Sequence, residues 1–151
     1  MAGLVLSLKA NEKFLVNGAL LSNGPKRGQI CVDGDGVNVL RMSDVIHPND
    51  VNTPVRRVYY ATQIILSGDV GVIEIESDIK EGLEALAIVF ERTVFEKNIM
   101  KAQKAATSNR YYSVLCALKP LLKVEDQLLE KAPSAFDALD ASPHISSAMA
   151  S

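Results

Sequence analysis

One short stretch, NTPVRRVYYATQ at residues 52–63, sets two arginines and two tyrosines side by side. Fixed cations beside flat rings are the residue types that contact phosphates and stack on unpaired bases. Lys26 and Arg27 in SNGPKRGQ, and Arg41 at the end of NVLR, are the other cations able to join them if the elements carrying them converge. The candidate RNA-contact set is therefore Lys26, Arg27, Arg41, Arg56, Arg57 and Tyr60. The competing reading is that Arg56 and Arg57 pair internally with residues such as Asp44 or Asp50, while Lys26 and Arg27 are merely solvated.

Other chemistry finds little support. DGDG at 33–36 resembles the start of a calcium loop, but the further oxygen ligands and the glutamate at the twelfth position are missing, so it reads as a turn. Gly18, Gly24 and Gly28 do not form a phosphate-cradling loop, which needs a strand-to-helix context with a basic residue and a hydroxyl. His47 and His144 are the only histidines. Cys31 and Cys116 have no CxxC spacing and are expected to be two buried structural thiols. Glu81, Glu84, Glu125 and Glu130 fall on faces expected to be solvated. The chain reads as non-enzymatic, without metal or cofactor.

The net charge is -2, and it is unevenly spread. Residues 1–57 hold seven Lys or Arg against five Asp or Glu, whereas residues 58–151 hold nine against thirteen. Any nucleic-acid contact must then use a local patch and depend on salt. No apolar run approaches the ~20 residues that span a bilayer. MAGLVLSLKANEK lacks the basic region of a signal peptide, so a cytoplasmic protein is expected.

The elements that must position these residues follow from period and punctuation. LVLSL alternates, and Asn17-Gly18 between KFLV and ALL is a hairpin signal. Turns at Asn23-Gly24-Pro25 and Asp33–Gly36, then a strand over 38–41, give four to six short antiparallel strands. Thr53 as N-cap, Pro54 at the first helical position and Gly68 as stop define a helix. Its buried stripe is Val55, Val58, Tyr59, Thr62, Ile65 and Leu66, with Arg56, Tyr60 and Gln63 on a separate face. Residues 69–76 fit either a strand or an irregular crossing. Ser77 or Asp78 then caps a helix whose apolar face is Ile79, Leu83, Leu86, Ala87 and Phe90. Thr93 with Glu96 has capping-box form, so a new helix starts there or one helix runs through to Ala106. A last helix opens at Ser108 or Asn109, carries Tyr111, Leu115, Leu118, Leu122 and Leu129 on one face, and is kinked or divided at Pro120.

Three stretches in order, ANEKFLVNGALLSNG, NTPVRRVYYATQ and SNRYYSVLCALKPLLKVEDQLL, together resemble the flagellum biosynthesis repressor family FlbT over residues 5–130. The matching residues are Asn17, Gly18, Asn23 and Gly24, then Thr53, Pro54, Arg56, Arg57, Tyr59 and Gln63, then Tyr111 and Tyr112. The resemblance implies a regulator acting on the 5′ untranslated region of flagellin messenger RNA, lowering its translation and stability alongside a partner called FlaF. It assigns no RNA-contact residues, so the candidate set rests on charge.

The expected architecture is α+β: an antiparallel β subdomain over 1–52, sandwich-like, a helical subdomain over 53–132, and a disordered tail over 133–151. A homo-oligomer is expected, because exposed sheet edges gain from pairing and two copies would double a weak basic patch. The alternative function is a protein-binding adaptor engaging flagellin or FlaF through the acidic helical half, without direct RNA contact.

Overall fold

A computed structural model describes residues 4–34, 36–68 and 72–131, with backbone alone for 72, 73 and 128–131. The expected tail over 133–151, and Asp35 of the DGDG turn, lie outside the described residues. The fold is α+β, as expected, with two small antiparallel sheets followed by helices.

Strand β1 (Leu4–Leu8) pairs with β4 (Gly28–Val32), and Leu6 and Leu8 are buried while Val5 and Ser7 face solvent. This is the period of two that the LVLSL alternation demands. Strand β2 (Lys13–Val16) lies between β3 (Ala19–Ser22) and β5 (Val39–Arg41) in the second sheet. The β2–β3 hairpin turns through Asn17 at φ 50 and Gly18 at φ 85, positive at both central positions, as a tight two-residue turn requires. The Asn17 side chain also accepts from the Asn38 N–H at 2.9 Å, holding the turn to the approach of β5. Asn23 joins two turns: its side-chain amide donates to the carbonyls of Lys9 (2.8 Å) and Lys26 (2.9 Å).

Helix α1 (Pro54–Leu66) starts and stops where Thr53, Pro54 and Gly68 predict, with Thr53 Oγ1 accepting from the Arg56 N–H. All six residues of its predicted stripe are buried. Gln63 is buried too, contrary to its expected place beside Arg56 and Tyr60. Its amide accepts from Ile46 N–H at 2.8 Å and donates to Ile46 C=O at 3.1 Å, pairing the helix with the strap between β5 and α1. Two single 3-10 turns, Met42–Asp44 and Pro48–Asp50, shape that strap, and the Tyr59 hydroxyl donates to the Asp44 carbonyl at 2.6 Å.

Helix α2 (Val72–Val89) begins before the predicted cap at Ser77 or Asp78, so residues 72–76 are helix and not a strand or irregular crossing. Ile75, Ile79, Leu83, Leu86 and Phe90 continue one helical stripe, and Ser77 and Asp78 lie on its exposed side, where a polar residue need not cap anything. Gly82 lets α2 approach α1: a Cβ there would sit 2.5 Å from Val58 Cγ2. After a turn in which Thr93 Oγ1 donates to Phe90 C=O and accepts from Phe95 N–H, α3 (Glu96–Thr107) starts near the capping signal. Helix α4 (Tyr111–Lys131) passes through Pro120 undivided. The core joins all four helices and takes in Leu40 of β5.

Candidate nucleic-acid interface

The first helix is fastened to its own protein before it offers anything to a partner. Glu125 of α4, 1% exposed, accepts from Thr53 Oγ1–H and from the Val55 N–H at 3.1 Å. A carboxylate at a helix N-terminus satisfies orphan amides and complements the dipole. Glu125 is therefore not on a solvated face as expected, and burial raises its carboxyl pKa against the lowering effect of the Thr53 and Val55 bonds. Glu81 and Glu84 are exposed as expected, and the Glu130 side chain lies outside the description.

The candidate cations take different partners. Arg56 makes a bidentate pair with Asp126 of α4, at 2.8 and 3.1 Å, so its partner is neither Asp44 nor Asp50. Arg57 is exposed and also interacts within the protein, and Tyr60 is half-buried. Arg41 binds Glu12 through Nε at 2.7 Å and Nη2 at 2.9 Å, and donates to Ser7 C=O at 2.7 Å. The guanidinium holds the Glu12 carboxyl down to about 2, burial opposing it. Asp44 is taken by Lys119 at 2.7 Å. Lys26 and Arg27 are exposed on the β3–β4 turn.

Arg41 and Arg56 do not share one surface. Arg41 lies beside the Tyr112 hydroxyl at the start of α4, whereas Arg56 holds Asp126 near its end. Fourteen residues of helix at ~1.5 Å each put the two anchor points about 20 Å apart.

A different concentration of positive charge was missed. A cleft of about 490 Å³ between α3, the start of α4 and β1 is lined by Lys101, Lys104 and Arg110, with no carboxylate among its described lining residues, and Arg110 also interacts within the protein. Tyr112, Cys116 and Leu4 line it as well. The signal was present in the sequence: Lys97, Lys101 and Lys104 recur at i, i+4 and i+7, one helical face. The net acidity of the C-terminal part concealed it.

Both cysteines are exposed, contrary to expectation. Cys31 falls on an outward position of β4, with its thiol donating to Asp33 Oδ1 at 3.2 Å, and Cys116 falls on the cleft side of α4. Among the described residues no group of three or more His, Cys, Asp or Glu could hold a metal ion, and no helix is long and apolar enough to cross a membrane.

The family model described as Flagellar protein FlbT matches residues 4–129. The flagellum biosynthesis repressor protein FlbT of Caulobacter vibrioides (strain ATCC 19089 / CIP 103742 / CB 15) is 30% identical over 135 residues, covering 89% of this chain and 95% of that protein. Probable flagellum biosynthesis repressor proteins of Rhodopseudomonas palustris (strain ATCC BAA-98 / CGA009) and Chelativorans sp. (strain BNC1) are 29% and 28% identical, over 85% and 82% of this chain and 98% and 84% of theirs. No solved structure matches the chain.

Proposed function

The chain belongs to the FlbT family of flagellar proteins, and from that premise we propose that it regulates flagellum biosynthesis after transcription, binding the 5′ untranslated region of flagellin messenger RNA to lower its translation and stability. Its relatives carry the name of flagellum biosynthesis repressors. The observation that carries the reading is the α3–α4 cleft, a concave surface whose charged lining, among the described residues, is cationic on a chain of net charge -2. A phosphodiester backbone is the polyanion such a local patch suits. Regulation by binding needs no catalytic group or cofactor, and acting on messenger RNA requires a cytoplasmic location. A second copy would double the patch, and β3, an edge strand with Leu20 and Leu21 exposed, offers a pairing edge.

The test is titration of a flagellin leader RNA against a length-matched scrambled RNA at about 0.1 and about 0.3 M salt. Preferential, salt-weakened binding is expected; no binding, or binding indifferent to salt, refutes the reading. A second reading is favoured by the exposure of Ile88 (75%), Val89 (55%), Val94 (80%) and Met100 (60%) around the α2–α3 junction. An adaptor would engage flagellin or FlaF there, and would co-purify with either after nuclease treatment while showing no affinity for RNA.

A further inference from the structure

We infer that the α3–α4 cleft is the RNA-contact site itself, holding an unpaired nucleotide with its backbone phosphates on Lys101 and Lys104 and its base against the wall formed by Tyr112 and Leu4. The inference rests on the messenger-RNA reading above and goes beyond it by choosing among the cations. Arg41 and Arg56 are each committed to an internal carboxylate by two bonds, so a phosphate would have to displace a preformed bidentate pair. Lys101 and Lys104 are exposed, three residues apart on α3, and have no ion-pair partner among the described residues. Three positions on a helix is the spacing at which two ammonium groups share one face.

The shape agrees with the charge. A volume of about 490 Å³ lies within the ~300–1,000 Å³ range of small-ligand sites, enough for a nucleotide. Lys101, Lys104 and Arg110 give the cleft ionic character, while Leu4, Tyr112 and Ala117 add apolar surface. An unpaired nucleotide has the same division, a charged phosphate and an apolar base face. The exposed Cys116 thiol lines the cleft and provides a built-in photochemical reporter for a base seated there.

The experiment has two arms on the full chain, with a flagellin leader RNA and a single-stranded oligouridylate of about 12 nucleotides as probes. In the first, Lys101→Gln/Lys104→Gln is compared with wild type across salt, and unchanged thermal melting confirms that these surface substitutions leave the fold intact. Two phosphate contacts to a single strand contribute about 1.4 to the slope of log K against log salt, so the slope should shrink by about 1.4 and affinity at about 0.15 M salt should fall about 14-fold. In the second arm, wild type is photocrosslinked to 4-thiouridine RNA, and adducts are expected on the peptide holding Tyr112 and Cys116. If wild type binds RNA but the double variant keeps its affinity and slope, or the adducts map to the Lys26–Arg27 turn, this assignment is overturned and the messenger-RNA reading stands. If wild type binds neither probe, both fall together.

Discussion

Glu125 offers the sharpest test of how the family's central motif is held. Glu125→Ala leaves the Thr53 hydroxyl and the Val55 N–H without their acceptor in a site 1% exposed. An unsatisfied buried donor costs about 1–3 kcal/mol each, and removing the buried carboxylate returns part of that through its desolvation. The net expectation is a loss of about 2–3 kcal/mol, which at ~2–4 °C per kcal/mol for a domain of this size is a fall of roughly 5–10 °C in melting temperature. Glu125→Gln can accept from Val55 N–H and donate to Thr53 Oγ1, so it should stay within about 1 kcal/mol of wild type. The pH dependence gives a second check on this group. Burial holds the folded-state pKa of Glu125 above its unfolded value, so its contribution is fully present below the unfolded pKa and is lost as pH rises through the folded one. Glutamine, a permanent mimic of the protonated form, should therefore gain on wild type as pH rises from about 4 to about 7. Urea denaturation followed by circular dichroism at several pH values measures both effects. An alanine variant within about 0.5 kcal/mol of wild type, or a glutamine variant that loses ground as pH rises, would refute the reasoning.

The remaining expectations probe other joints of the fold. Glu12 behaves oppositely to Glu125: Arg41 lowers it from 4.5 to about 2, so its contribution is present above about pH 4.5 and lost as pH falls toward 2, and Arg41→Met should flatten that part of an acid-unfolding curve. Gly82→Ala should destabilise by about 1–2 kcal/mol by urea denaturation, because crowding of its Cβ against the buried Val58 outweighs the ~1 kcal/mol helix-propensity gain, and Val58→Ala should abolish the penalty. Arg56→Gln should cost less than about 1 kcal/mol, since Asp126 is half-exposed, and should change RNA affinity less than twofold, in contrast to the α3 lysines.

Local signals carried much of the architecture. Asn17-Gly18 specified its hairpin because only residues tolerant of positive φ suit that turn, and Gly18 goes on to meet the end of α1, its Cα 3.3 Å from where a Cβ on Gly68 would lie. Thr53, Pro54 and Gly68 delimited α1, and its six-residue stripe was legible because helical periodicity is a property of neighbours in the chain. The misplaced start of α2 came from weighting a cap signal over a stripe that had already begun at Ile75.

What local reasoning could not reach is which partner arrives from far along the chain. Glu125 is 72 residues from Thr53, Asp126 is 70 from Arg56, and a helical acid with a polar neighbour looks solvated until α4 is laid against the start of α1. Gln63 is polar on any hydropathy count, yet is buried because one strap residue, Ile46, meets both ends of its side chain through its N–H and its C=O. The motif NTPVRRVYY could be recognised as a helix start from its own residues. That its first arginine is committed internally, and that Lys101 and Lys104 share a cleft with Tyr112 instead, follows from packing α1 and α3 on α4, because ion pairing depends on distances in space that residue spacing does not encode.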